Sequence, residues 1–471
     1  MIVLNKKEQL YHQIFQLFTE EIWEENKEKF NKNISIMFSG KKNEVFVETK
    51  DDLIIYFIGL GRDNLKNFEF QQVANKFAQT YKKSIQPVST QIIADFINEK
   101  QFEEFSKGLL LGTYNYPFDQ SHPFWNSSFE LHYHQLSSEI LENINRRNLA
   151  ICDGQTSCME WLNKPANFKK AKTFSSYLKK LADENSLEYT VFNREKCKEL
   201  GLGAFLSVNQ GSSEDAAFTI LEYKTSEKNA KTFGFVGKCV LFDTGGISIK
   251  PSNNMHYMKS DMGGATAVLG TLIYAAKMKL PVNIVAILPI TDNSVSENAY
   301  LPSDVITAYN GKTIEVLDTD AEGRMTLADG LSYLVKNYKT DVVIDIATLT
   351  GSSVRMFGDT CGAMFSNNEN LKDLLIKTGD KTNQRVWNLP LWDVWLDDIQ
   401  SDVADLKNIS MKPLGDCIIA AKFLEQFTEN HVNWAHLDVA GVVFGSTGYA
   451  KDKAATGFGV QLLADLIENY Q

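Results

Sequence analysis

Seven consecutive residues, Asp318-Thr319-Asp320-Ala321-Glu322-Gly323-Arg324, set three acids and then an arginine at the start of an apolar periodic segment (Met325, Leu327, Leu331, Leu334). Carboxylates crowded this tightly repel one another unless a cation holds them. The run therefore asks for a metal ion, and a metal ion asks for ligands elsewhere. Two upstream segments offer them. In the stretch from Gly237 to Gly246, Lys238 opens an apolar strand, Asp243 closes it, and a glycine pair follows. Lys250 comes shortly after, and Lys259-Ser260-Asp261-Met262-Gly263-Gly264 puts another acid at the start of a helix.

Each residue also has a plain reading. Asp261 fits an N-cap, Asp243 a turn, and Lys238 and Lys250 solvated lysines. Asp320 and Glu322 fit a helix dipole, with Arg324 as their salt-bridge partner. Convergence weighs against these readings, because separate segments each deliver an acid to a strand end or helix start. One geometric condition applies. Lys238 and Asp243 lie an odd number of residues apart, so a flat strand would point them to opposite faces. They share a site only if the chain bends, and the expected bend is at Thr244-Gly245-Gly246.

The elements around these segments read as an α/β protein. The spacing predicts the helix Thr173–Glu184, the strands Glu188–Phe192, Phe218–Tyr223 and Cys239–Phe242, the helix Gly263–Lys279, and the strands Val282–Pro289 and Asp341–Ile346. Short, continuously apolar strands separated by helices imply a mixed, largely parallel central sheet. In such sheets chemistry gathers at the carboxyl ends of strands. The expected organisation is a smaller N-terminal α/β domain over residues 1–135, a connecting helical linker over 136–165, and a C-terminal catalytic α/β domain over 166–471. Within the first, Ile14, Leu17, Phe18, Ile22 and Trp23 predict a helix from Glu8 to Phe30. Two strands, Glu44–Thr49 and Leu53–Ile58, flank a turn at Lys50-Asp51-Asp52. A polar, aromatic-rich stretch spans Asn115–Tyr133, and helical sequence runs from Leu136 to about Trp161. No internal repeat is evident.

With 471 residues, two domains are expected. A net charge of −11 argues against a general nucleic-acid binder. The six cysteines form no Cys-x-x-Cys pair, which points to free thiols rather than a disulfide framework or a thiolate zinc site. No His-Glu-x-x-His occurs, so oxygen ligands are favoured. The N-terminus reads as neither signal peptide nor presequence, since acids come early and the first arginine is Arg62. No apolar stretch is long enough to span a membrane, and the expected location is cytoplasmic.

These motifs, in this order, resemble the M17 leucyl aminopeptidases, cytosolic two-metal exopeptidases. The family's central motif reads Asn-Thr-Asp-Ala-Glu-Gly-Arg; this chain has Asp318 for the Asn and matches the other six positions. The stretch Val236–Lys250, Asp261-Met-Gly-Gly264, Ala347-Thr-Leu-Thr-Gly351 and Trp434-Ala-His-Leu-Asp438 also match. The match extends upstream through Asn209-Gln-Gly-Ser212 and Asn163-Lys-Pro-Ala-Asn167 and weakens in the N-terminal domain, where Gly108–Tyr114 is the main echo. The resemblance implies that Asp243 and Glu322 bridge two divalent metals, that Lys238 and Asp261 complete the tighter site, and that Asp320 binds the more exchangeable ion. It implies Lys250 and Arg324 as the catalytic pair, with Arg324 helping to hold a bicarbonate general base. Leu349 and Gly351 would offer backbone groups to the peptide, and Met258 and Thr348 would line the pocket for its first side chain. Zinc is the expected metal, with manganese or magnesium as alternatives, and the expected assembly is a homohexamer.

The implied reaction is release of N-terminal residues, leucine and other apolar ones favoured, by attack of a metal-bridging water. The substrates would be peptides with a free N-terminus. Lys238 can bind a metal only as the neutral amine, which an adjacent dication would enforce. Two other classes compete. A two-metal phosphoesterase would more often use histidine ligands, and none of the seven is among the expected ligand positions. A non-catalytic scaffold would have lost ligands, yet every expected position is filled.

Overall fold

A computed structural model describes residues 2–5, 12–85, 90–116, 129–412 and 414–470. The chain divides into two compact units, Met1–Cys152 with Gly448–Lys451, and Asp153–Thr447 with Asp452–Gln471. The helix Ser138–Asn163 belongs to the first through Cys152 and to the second from Asp153.

Among the described residues the first unit has six strands: β1 (Ile2–Asn5), β2 (Gln13–Thr19), β3 (Val45–Lys50), β4 (Leu53–Gly61), β5 (Thr90–Ile93) and β6 (Phe129–His132). Their order is β1-β6-β5-β2-β4-β3. Only the β3–β4 hairpin at the edge is antiparallel. The helix expected from Glu8 to Phe30 is corrected here. Residues 8–11 lie outside the described residues, and 13–19 form β2, a central strand between β4 and β5. Phe15 and Leu17 are buried alternately, in the two-residue period of a strand. A helix starts only at Glu20, where the Thr19 hydroxyl accepts the Ile22 N–H at 3.2 Å. The two predicted strands appear as β3 and β4. The stretch Asn115–Tyr133 falls largely outside the described residues. In Gly108–Tyr114, Gly108 and Gly112 let the helix Glu99–Gly112 press onto Asn67–Tyr81, since a Cβ on either would lie 2.3–2.5 Å from the Gln71 or Asn75 carbonyl oxygen.

The second unit carries β7 (Glu188–Phe192), β8 (Ala217–Tyr223), β9 (Thr232–Gly237), β10 (Cys239–Asp243) and β11 (Asn283–Asn293). These are followed by β12 (Val305–Thr307), β13 (Thr313–Glu315), β14 (Val342–Ala347), β15 (Gly362–Ser366), β16 (Val386–Asn388), β17 (Leu406–Lys407) and β18 (Trp434–Asp438). The main sheet runs β16-β15-β18-β14-β9-β11-β8-β7, with β10 paired to β11 beyond the end of β9. Its centre, β18-β14-β9-β11, is parallel. The pairs β15–β18, β11–β8 and β8–β7 are antiparallel. The sheet is therefore mixed and largely parallel, as the apolar strand–helix alternation predicts. β12, β13 and β17 form a small separate sheet.

Helices cover the central strands, which is why those strands are mostly apolar, with Asp345 of β14 and His436 and Asp438 of β18 as buried polar exceptions. The helix Glu322–Asn337 buries Met325, Leu327, Leu331 and Leu334 in a core shared with Phe205, Phe218, Ile287 and Phe423. The helix Gly263–Met278 is buried from Gly263 to Ala275. Its two leading glycines set the depth: a Cβ on Gly264 would lie 1.7 Å from the Ile346 carbonyl oxygen. All six cysteines are free thiols, five of them buried. Among the described residues no helix is long and apolar enough to cross a membrane.

Candidate metal centre

The site forms where β9, β10, β11 and β14 end. The strand that should carry both Lys238 and Asp243 is interrupted twice. Lys238 stands between β9 and β10, with its N–H donated to the Ile346 carbonyl at 3.1 Å. Further along, Val240 pairs with Thr291 and Asp243 with Asn293, so three residues of β10 span two of β11. That bulge inserts one extra residue and reverses the alternation of faces. The bend that lets Lys238 and Asp243 meet therefore lies before Thr244, upstream of the expected position. The glycine pair has another task. Gly245 (φ +88°) and Gly246 (φ +65°) turn the chain back beneath Thr319 and Asp320. Gly245 N–H is donated to Asp243 Oδ1 at 2.9 Å, and Gly245 carbonyl oxygen accepts the Thr319 hydroxyl at 2.7 Å.

Asp261 arrives from the other side. It follows the short 3-10 turn Met255–Ser260, and its carbonyl accepts the Val240 N–H at 3.2 Å. The next residues enter the buried helix, whose Ala265 N–H is donated to the Lys238 carbonyl at 3.0 Å. Close seating of that helix therefore brings Asp261 to Lys238: their charged atoms are 2.8 Å apart. Lys238 Nζ also lies 2.8 Å from Glu322 Oε1 and donates to the Thr348 carbonyl at 2.9 Å. Gly323 makes room for it, since a Cβ there would sit 2.5 Å from the lysine Cε.

Asp243, Asp320 and Glu322 each turn an oxygen into one spot, the three atoms within 4.8 Å of one another. Lys250 Nζ lies 2.7 Å from Asp243 Oδ2 and contacts Asp320. Glu322 is 1% exposed, and its Oε2 has no hydrogen-bond partner. Burial, then Asp243, raise the Glu322 carboxyl, against Lys238 and Lys250. Burial raises Asp261 strongly, with Glu322 and Asp243 adding and Lys238 opposing. Asp320 is pushed up to about 7 by burial and by Asp243, with Lys250 opposing. The lysines move the other way. Burial would lower Lys238, but Asp261, Glu322 and Asp243 outweigh it and raise its pKa; Asp243, Glu322 and Asp320 do the same for Lys250.

Four carboxylates thus face two ammonium groups, and a buried glutamate oxygen goes unpartnered. That imbalance, in an oxygen-rich set without histidine or cysteine, fits divalent cations.

A cleft of about 330 Å³ lies above the acids, lined among others by Lys250, Asp318, Asp320, Arg324, Leu349 and Gly351. Lys238, Asp243, Asp261 and Glu322 are 6% exposed or less and do not line it; Lys250 and Asp320, which do, connect it to them through the Lys250–Asp243 ion pair and the shared acid cluster. Thr348 and Met258 do not line this cleft: the Thr348 hydroxyl is donated to Asp261 Oδ1 at 2.6 Å, and Met258 sits half-buried on the turn before Asp261. Arg324 is 3% exposed; its Nη1 is donated to the Asn408 carbonyl at 2.7 Å and its Nη2 to Asp416 at 3.2 Å, while its Nε has no partner. Asp318 has one, accepting the Asp320 N–H at 2.8 Å.

Several supporting residues escape sequence reasoning. Asn293 Nδ2 bridges Asp243 Oδ1 at 2.9 Å and the Thr319 carbonyl at 3.0 Å. Its only signal is its place at the carboxyl end of a central strand. Asn408 holds the backbone of Leu317 and Asp318. In the Trp434–Asp438 motif, alternate residues share one face of β18. Trp434 Nε1 and His436 Nδ1 meet Asp345 at 2.8 and 2.5 Å. Asp438 accepts the Leu349 N–H at 3.1 Å and the Thr350 hydroxyl at 2.6 Å.

Comparison with known proteins gives the chain's family. The family model for the catalytic domain of the cytosol aminopeptidase family matches residues 156–464, and the chain belongs to that family. A probable cytosol aminopeptidase of Chlorobaculum parvum is 43% identical over 330 residues, 70% of this chain and 65% of that protein. One from Rickettsia massiliae is 44% identical over 311 residues, 65% of this chain and 62% of its own length. The match thus spans just under two thirds of these relatives. Among solved structures, the bottromycin maturation enzyme BotP in complex with Mn is similar at 27% identity and a TM-score of 0.85, covering 97% of this chain and 99% of that one.

Proposed function

We propose that the chain is a metal-dependent aminopeptidase that releases N-terminal residues, leucine and other apolar ones favoured, from peptides with a free N-terminus. The observation that carries this reading is the convergence of Lys238, Asp243, Asp261, Asp320 and Glu322 beneath a cleft bearing Lys250 and Arg324, in a member of the cytosol aminopeptidase family. Asp243 and Glu322 would bridge two divalent ions, Lys238 and Asp261 would complete one site, and Asp320 would serve the other. Zinc is favoured, with manganese or magnesium as alternatives. When bound, the metals supply Lewis acidity and an acidified water.

The chain's own residues do the rest. Lys250 keeps its charge beside the acids and is placed to stabilise the oxyanion that develops on the scissile carbonyl. Arg324, fixed by Asn408 and Asp416, turns a free N–H donor toward an anion such as bicarbonate. The Leu349 N–H is committed to Asp438, which leaves its carbonyl, with the backbone of Gly351, for the peptide. Met258 and Thr348, beside Asp261, would receive the first side chain. A free α-amine would be held at the metal site in the manner of Lys238, which gives exopeptidase rather than endopeptidase action. A homohexamer in the cytoplasm belongs to the same reading.

The test is hydrolysis of leucine amide by metal-reconstituted protein, with Asp320→Ala and Lys250→Ala as controls. Activity in the wild type and its loss in both variants is expected. An inert wild type with zinc, manganese and magnesium alike would refute the reading. Equal cleavage of N-blocked and free peptides would refute the amine-binding step.

A further inference from the structure

Four cations line the cleft, and three have partners. Lys250 holds Asp243 and Asp320, Arg324 holds Asp416, and Lys412 holds Asp398. Arg355 holds none: among the described residues no hydrogen bond or ion pair engages its guanidinium. It is exposed in the last turn of the helix Gly351–Phe357 and folds back along it. Its Nη1 lies 3.2 Å from where a Cβ on Gly351 would stand. Gly351 has no positive φ to demand glycine; its missing side chain leaves space that the guanidinium borders.

The charges along the cleft are therefore ordered. Asp320 belongs to the acid cluster, and Asp318 accepts its N–H. Asp416 is engaged by Arg324 and by Ser352, whose hydroxyl is 3.3 Å away. A carboxylate on a bound peptide is opposed by Asp318 and Asp320 at the inner end, and beside Gly351 it meets an unpaired guanidinium. The cleft volume, about 330 Å³, sits at the small end of ligand sites of roughly 300–1,000 Å³, which suits a short peptide.

We propose that Arg355 is a specificity-determining residue that pairs with a carboxylate on the leaving-group side of the substrate, making short peptides with an anionic far end the preferred class. This rests on the aminopeptidase reading above. The carboxylate has two chemical sources, the C-terminus of a di- or tripeptide and an acidic side chain. Guanidinium and carboxylate match in geometry, and such pairs are the stronger kind of charge-assisted hydrogen bond.

The experiment compares Leu-Gly-Gly as free acid and as C-terminal amide, and Leu-Gly-Glu amide as a third substrate. Wild type, Arg355→Met and Arg355→Lys are assayed at low salt. In the wild type, kcat/KM for the free acid should exceed that for the amide by about five- to tenfold, chiefly through KM. The ratio should fall to about one in Arg355→Met, recover in part in Arg355→Lys, and shrink as salt is raised. Preference for Leu-Gly-Glu amide over Leu-Gly-Gly amide would assign the pairing to side chains. Preference for the free acid alone would assign it to the C-terminus. A wild type that cleaves all three equally, or an unchanged ratio in Arg355→Met, overturns this inference alone. A wild type that cleaves none overturns the aminopeptidase reading and this inference with it.

Discussion

Replacing Asp320 by asparagine should separate two effects of one carboxylate. Its pKa, held near 7 by burial and by Asp243, lies above the ordinary carboxylate value. A group raised in the folded state stabilises fully below its unfolded pKa and loses that contribution as pH rises through the folded one. At pH 8 the ionised Asp320 is thus a net cost to the metal-free chain, up to about 4 kcal/mol by the elevation. Screening at its 31% exposed side chain reduces this, and the Lys250 ion pair lost in the variant offsets more. Metal-free Asp320→Asn should therefore melt no lower than wild type. The metal response should go the other way. An ion at 100 times its dissociation constant stabilises the native state by about 2.7 kcal/mol per site. The larger unit spans roughly 315 residues, and its unfolding entropy of about 0.66 kcal/mol/K makes each site worth about 4 °C. Thermal melts at pH 8 with manganese or zinc should show about 8 °C for wild type and about 4 °C for the variant. A full wild-type response in the variant would refute the role of Asp320. So would a metal-free Tm more than about 5 °C lower, the mark of a broken buried ion pair worth about 3–5 kcal/mol.

Asp329, fully buried and accepting the Phe205 and Tyr309 N–H groups at 2.8 and 2.7 Å, is pushed up to about 7 by burial against those bonds. Its stabilising contribution is present below about pH 4 and fades as pH rises through about 7. In urea unfolding, Asp329→Asn should therefore gain on wild type between pH 5 and pH 8, by up to about 4 kcal/mol across the full window; a difference independent of pH would refute this. Asp318→Asn should keep the turn cap, since the amide oxygen can accept the Asp320 N–H, while removing one charge from the cleft. Its metal-activation profile should shift toward higher metal concentration for half-activation or a different preferred ion, and identical profiles would show that the acid is silent. Asp438→Asn should loosen the Leu349–Thr350 segment, raising KM about fivefold for a loss of about 1 kcal/mol while metal content stays at the wild-type level; loss of metal instead would mean that Asp438 supports the ions.

The catalytic half of the fold is legible because its strands are buried on both faces. Runs such as Val342–Ile344 and Ile284–Ile290 are continuously apolar, and the acids of the site stand where such a strand ends, at Asp243, or where a helix begins, at Asp261, Asp320 and Glu322. The N-terminal half misleads for a reason of period. Ile14, Leu17, Phe18, Ile22 and Trp23 match helical spacing only because a strand and a helix are joined without a loop. The true boundary was signalled by Thr19 with Glu20 and Glu21 behind it, an N-cap and an acidic first turn. The supporting asparagines were invisible for another reason. Asn293 and Asn408 are single polar residues whose partners lie 26 to 91 positions away, and nothing local distinguishes them from loop residues.

The shared site of Lys238 and Asp243 shows where pattern reasoning stops and register takes over. Side-chain alternation forbids both from facing one site on a regular strand, and the glycines after Asp243 offered the obvious escape. The chain instead resolves the conflict by two irregularities within the strand, the break at Lys238 and the bulge before Asp243. A bulge is a property of two strands read together: it exists only because Val240 pairs with Thr291 and Asp243 with Asn293. The same register brings Asn293 beside Asp243, so the strand that supplies the bulge's partner also supplies the amide that fixes the acid. Ligand placement and ligand support at Asp243 therefore have one cause, which explains why neither could be read from the segment that carries the acid.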